Sequence, residues 1–349
     1  MKADEYLRYL QTMPDWQMEE GHVWSVLAEH QRTYVKRRML ERAAKEQITD
    51  PGVWGRVIYD ALSDFGQLTS DVTATANKDR FNEREYLYTS IVRPLLKALP
   101  STVREQVEAI PVGLLRVELI GAETIVAPSG DPVITINIHL LKAIEYYIEQ
   151  QIAAGLGADR ESRREIILRM YKELYVQFAS DVSPGWPNTR EVLNSNHFAF
   201  WARRMSAAKY FVLAHEYAHC VLGHMSLSAT RSIRRSTAPT SPGLVGLQHS
   251  HKLELEADLA ALGWLLNGYQ QLPLSFDRAT LVFGILDFLV LLCFAERNLP
   301  HLNHHSTHPD AWARISHLAI WLADVADENI ASAVMTAIDL AKHTPVVDW

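Results

Sequence analysis

Apolar positions recur at helical spacing along residues 22–47, where Trp24, Leu27, Tyr34 and Leu40 alternate with charges of both signs. Asp50-Pro51-Gly52 breaks that run. Two further helices are predicted over 53–65 and 84–99, and Pro100-Ser101-Thr102 opens a short one with Ser101 or Thr102 as its cap. From Pro111 the texture changes. Residues 114–120, 124–127 and 133–138 read as strands, the last rich in β-branched side chains, with Pro128-Ser129-Gly130-Asp131 as a turn. Helical spacing returns over 140–152 and 160–178, and a Pro- and Gly-containing loop follows at 181–188. Residues 206–222 are apolar on nearly every side, as suits a buried central helix, and Gly223 ends them. Helices are predicted again over 252–266 and 277–297. A polar loop over 301–309 precedes two closing helices. The expected architecture is α+β: a helical N-terminal domain over 1–110, then a mixed domain over 111–349 with a small antiparallel sheet around one buried helix.

Composition narrows the classes. Of the 349 residues, 48% are hydrophobic and 21% charged, which fits a folded globular chain rather than a disordered one. The net charge of -7 gives no reason to expect nucleic-acid binding. The apolar run over 281–295 is interrupted by Asp287 and is short for a bilayer, so a buried helix is expected there and no stable membrane insertion. Only two cysteines, Cys220 and Cys293, and an N-terminal stretch with no apolar core point to a cytoplasmic location.

The central helix carries His215-Glu216-Tyr217-Ala218-His219. Helical positions i and i+4 lie about 40° apart, so the two imidazoles share a face and can hold Zn²⁺ together. Glu216 sits about 100° further round. From there it can reach a water on the metal and act as general base. A third ligand is needed. The spacing HExxHxxGxxH is not met, because Leu222 and Met225 occupy its Gly and His positions; the adjacent His224 reads as a helix cap or a donor to a ligand. Glu254-Leu255-Glu256-Ala257-Asp258 offers the better candidate. Glu254 and Asp258 share a helix face, with Glu256 roughly opposite. Glu254 is therefore the expected third ligand, and Asp258 the acceptor for a ligand imidazole's other N–H. Cys220 reads as packing.

HExxH followed by ExxAD resembles the gluzincin metallopeptidases of the HtpX and CAAX-prenyl-endopeptidase type. The resemblance extends to HEYAHCVLGH over 215–224, to Ser306-Thr307-His308-Pro309 with Arg314-Ile315, and to Ala127-Pro128-Ser129-Gly130 through Ile134 and Ile138 to Leu140-Leu141. ImmA/IrrE-like and Lit-like soluble peptidases are similar in the same motifs. The resemblance implies a zincin-like core, zinc as cofactor and an endopeptidase acting on a protein or peptide substrate. It also places His308 near the catalytic centre, as an oxyanion donor or an occupant of the open metal position; a plain surface-loop role stays open. Arg314 would serve either an ion pair or the chemistry directly. His301, His304 and His305 read as solvated. The strand over 133–138 is the expected edge for pairing with substrate. Residues 226–247, rich in Ser, Thr, Pro and Gly and carrying Arg231, Arg234 and Arg235, are expected to be either a mobile cover that closes when a regulatory protein partner or the substrate supplies negative charge, or a plain surface connector. The competing class is a non-catalytic zinc-containing binding or sensor module acting through the helical N-terminal region.

Overall fold

The computed structural model describes residues 2–5, 7, 86–115, 121–127, 129–156, 160–179, 195–227, 229–233, 244–248, 251–298, 309–324 and 327–343. The predicted helices over 22–47 and 53–65, the loop over 181–188 and the polar loop over 301–308 lie outside them, as does most of the predicted N-terminal domain.

A π-helical turn, Tyr88–Val92, runs into α1 (Arg93–Ala98), and α2 follows (Ser101–Val107). The N-cap of α2 is Pro100, with no side-chain cap, so neither Ser101 nor Thr102 plays the expected part. Three strands come next: β1 (Val112–Leu115), β2 (Ala122–Val126) and β3 (Pro132–Asn137). The Asn137 side chain then accepts from the His139 N–H at 2.7 Å and starts α3 (Ile138–Gly155). After α4 (Arg160–Ala179) comes α5 (Ser195–Val221), which begins eleven positions before the sequence pattern predicts. A short α6 (His224–Leu227), β4 (Ala229–Ile233), β5 (Leu244–Gln248), α7 (His251–Gly268), α8 (Arg278–Asn298), α9 (Ala311–Ala323) and α10 (Glu328–Lys342) complete the order.

The architecture is α+β, mostly helical with a small sheet. Strand order is β1-β3-β2-β5-β4. Three of the pairings are antiparallel and β1 joins β3 in parallel, so the sheet is mixed rather than purely antiparallel. Two expectations change. β3 lies between β1 and β2, with Val133 through Asn137 all buried, so it is no edge for a substrate. A strand covered on both faces and both sides reads as a continuous β-branched run, which is what Val133-Ile134-Thr135-Ile136 is. The segment over 226–247 is not a structureless loop either. It contains most of an antiparallel hairpin, β4–β5, that adds to β2 through Ile125 and Gly246.

The core forms around α5. Ala207, Ala208, Phe211, Leu213, Ala214 and Ala218 are all fully buried, because α3, α7 and α8 pack on different sides of the helix and β2 lies against it. At one crossing α8 comes so close that a Cβ on Gly284 would stand 2.2 Å from the Arg204 carbonyl oxygen; only glycine permits this approach. α8 is long and apolar enough to cross a membrane, but 78% of its most apolar window is buried within this fold, as the core reading expects.

Two buried polar contacts set the register of α5. Arg204 donates to both Asp287 oxygens, at 2.8 and 2.6 Å, tying α5 to α8. Lys209 donates to Glu145 of α3 and to the Tyr86 hydroxyl, each at 2.5 Å. Burial alone would lower the Lys209 pKa, but Glu145 and Tyr86 more than offset it. Asp287→Ala leaves the Arg204 guanidinium buried without its partner, so the protein should lose about 3–5 kcal/mol of stability. Urea denaturation checks this, and the double variant Arg204→Met/Asp287→Leu should recover much of the loss because no charge is then stranded.

Candidate functional site

Helix α5 presents His215 and His219 one turn apart toward α7, whose first turn supplies Glu254. The three side chains converge. His215 Nε2 and His219 Nε2 are 3.1 Å apart, His215 Nε2 stands 3.3 Å from Glu254 Oε2, and His219 Nε2 stands 3.4 Å from Glu254 Oε1. Together they form a buried cluster able to hold a metal ion. A tetrahedral ion with bonds of about 2.0–2.1 Å to nitrogen and oxygen needs donor atoms about 3.3–3.4 Å apart, so the spacing fits.

The supporting contacts aim these donors. His215 Nδ1 lies 2.8 Å from Asp258 Oδ1. A carboxylate can only accept, so Nδ1 carries a proton toward Asp258 and Nε2 is the nitrogen aimed at the cluster. Asp258 is in turn gripped by Arg314, whose Nε and Nη2 donate at 2.8 and 2.6 Å. Asp310 and Glu296 satisfy backbone N–H groups at the start of α9, one turn before Arg314. On the other histidine of the cluster, His219 Nδ1 meets His224 Nδ1 at 3.0 Å, and His224 Nε2 stands 3.4 Å from Glu256. Gly223, at φ +71°, makes this possible: its left-handed conformation ends α5 and turns His224 back against the ring it supports. His224 therefore backs a candidate ligand and is not itself part of the cluster.

Charge explains why the cluster suits a cation. Burial disfavours a charge on His215, yet Asp258 and Glu254 outweigh it and push the imidazole pKa up to about 10. Burial would raise Asp258, but Arg314 and His215 hold it below the ordinary carboxylate range. Burial also dominates at Glu216 and raises its pKa, with His215 and the Thr124 hydroxyl pulling the other way. Burial lowers His224, keeping it neutral and able to accept from His219. Glu254 and Asp258 thus draw positive charge to the cluster, whether as a second proton on His215 or as a cation held in its place.

The family model described as Peptidase U49 matches residues 160–335, just over half of the chain and every residue of the cluster. The chain belongs to the Peptidase U49 family. It is thus a peptidase, a hydrolase whose substrates are proteins or peptides. No curated protein and no solved structure matches it.

The predicted His215, His219, Glu254 and Asp258 are brought together where α5 meets α7, and Arg314 takes the ion-pair alternative. His308, with His301, His304 and His305, lies outside the described residues. Cys220 is packed, and burial beside Glu216 pushes its thiol up to about 12. Sequence reasoning missed Thr124, whose hydroxyl donates to Glu216 Oε2 at 2.8 Å; a lone Thr within a strand gave no spacing signal. Asp258→Asn keeps the shape of the His215 contact but removes its charge. Metal affinity should fall roughly 10–100-fold, read by competition with a chromogenic chelator. An unchanged affinity would mean that His215 is oriented without Asp258.

Proposed function

We propose that this peptidase is a zinc-dependent endopeptidase in which His215, His219 and Glu254 hold the metal and Glu216 is the general base. The observation that carries the reading is the convergence of two imidazole nitrogens and one carboxylate at tetrahedral spacing, with Glu216 next in sequence to a ligand. Two nitrogens and one oxygen suit Zn²⁺. Among the described residues the cluster has three protein donors, the number that catalytic zinc sites use where closed structural sites use four. Bound zinc would supply Lewis-acid polarisation of the scissile carbonyl and a lowered pKa for water.

The side chains divide the remaining work. Asp258 and His224 fix the tautomers and ring orientations of the two histidines. Glu216 lies on the same helix about 100° from His215, so it borders the cluster without joining it. In this role it takes the proton from the attacking water and passes it to the leaving amine. A non-catalytic metal site has no use for such a base, which weighs against a binding or sensor module. Both described cysteines are free thiols, and a reducing compartment such as the cytoplasm is the setting we assign.

Elemental analysis of the purified protein should find about one zinc per chain, lost in His215→Ala, His219→Ala or Glu254→Ala. Glu216→Gln should retain the metal while cleavage in a broad peptide-library digest falls by about 10²–10⁴-fold. Full zinc retention in Glu254→Ala would remove that residue from the site. Activity of Glu216→Gln within about tenfold of wild type would sink the general-base assignment.

A further inference from the structure

We infer that Thr124 is the positioning residue of Glu216, an assignment that rests on the catalytic role just proposed for that glutamate. The contact joins groups 92 positions apart: Thr124 Oγ1, on β2, donates to Glu216 Oε2, on α5, at 2.8 Å, and both groups are buried. Thr124 lies outside the stretch matched by the family model.

Chemistry fixes the direction of the bond. An ionised carboxylate only accepts, so the single Thr124 proton points at Glu216. Its carrier is well fixed. Thr124 is paired with Ile134 of β3, and the next residue, Ile125, is paired with Val133 on one side and Gly246 on the other. A group carried by a strand with neighbours on both sides is better located than one on a loop.

The bond engages Oε2 alone. A glutamate has several rotatable bonds, and tethering one oxygen removes the arrangements in which the carboxylate turns from the cluster. The other oxygen remains for proton transfer. The residue touches neither substrate nor metal ligand in this role; it acts through Glu216.

The test uses the zinc-loaded full-length protein, a quenched-fluorescent peptide library as probe, and the variants Thr124→Val and Thr124→Ser. Thr124→Val should keep its zinc and a KM within about twofold of wild type while kcat falls roughly 10–100-fold. Thr124→Ser, which retains the hydroxyl, should recover most of kcat. Thr124→Val added to Glu216→Gln should cost no further activity. A kcat for Thr124→Val within about twofold of wild type would overturn the inference. So would a Thr124→Ser variant as slow as Thr124→Val, or a loss confined to KM or zinc content.

A second measurement separates this idea from the peptidase reading. The urea midpoints of Thr124→Val, Glu216→Gln and the double variant form a cycle that needs no activity. If zinc-loaded wild type cleaves nothing in the library, the peptidase mechanism fails, and the cycle decides the Thr124 contact alone. Non-additive midpoints support the tether, and additive midpoints overturn it.

Discussion

Burial of negative charge against α5 is the constraint on which the site depends. Glu254 and Asp258 have no exposed surface. A carboxylate in such a place is costly unless a cation or several donors meet it. Asp258 is met by Arg314 from α9 and by His215 from α5. Glu254 stands 3.3 and 3.4 Å from the two imidazole nitrogens, and a divalent ion between the three groups would neutralise it. Three helices must therefore stay at fixed separation. A slide of α7 by one turn would put one of these carboxylates in the other's place and leave the second without its partners, so the cluster selects the packing that contains it.

The rest of α5 supplies the rigidity that this demands. Arg204 and Lys209 lie on the same helix ahead of the histidines, and each is locked to a different neighbour, α8 through Asp287 and α3 through Glu145. Apolar packing alone tolerates small rotations, since Leu, Ala and Phe surfaces are interchangeable to a first approximation. A buried ion pair does not, because a rotated helix leaves two charges unmatched. These contacts set the azimuth of α5, and with it the direction in which His215 and His219 face. The close crossing at Gly284 acts likewise by holding α8 against the Arg204 backbone.

What the sequence made legible was what helical periodicity controls. His215 and His219, and likewise Glu254 and Asp258, are paired by i,i+4 spacing, so their shared faces follow from local geometry. The Asp258 contact with His215 joins two helices, and it was expected only once Glu254 had been placed beside the two histidines. Contacts between distant elements left no comparable trace. Arg204 and Asp287 are separated by 83 positions, and neither residue type announces a buried partner. Strand order was invisible for the same reason: β1 and β3 are joined in parallel only because β2 lies on β3's far side. The continuous burial of β3 could have warned against reading it as an edge, since edge strands keep one side for solvent. The pairing of 229–233 with 244–248 was hidden by the Ser-, Thr- and Gly-rich composition of that stretch of sequence, which reads as loop when pairing partners are unknown.

The cluster and the neighbouring base are positioned by different packing systems. His215, His219, Glu254, Asp258 and Arg314 are all carried by α5, α7 and α9, so helix-to-helix contacts set their relations. Glu216 shares α5 but faces β2, and its hydrogen bond reaches the sheet. The sheet is built in part from β1, β2 and β3, which precede the stretch matched by the family model, and in part from β4 and β5, which lie inside it between the two cluster-bearing helices. β5 pairs directly with β2 one residue beyond Thr124. Helix packing holds the cluster, while the carboxylate beside it is held by the sheet as well.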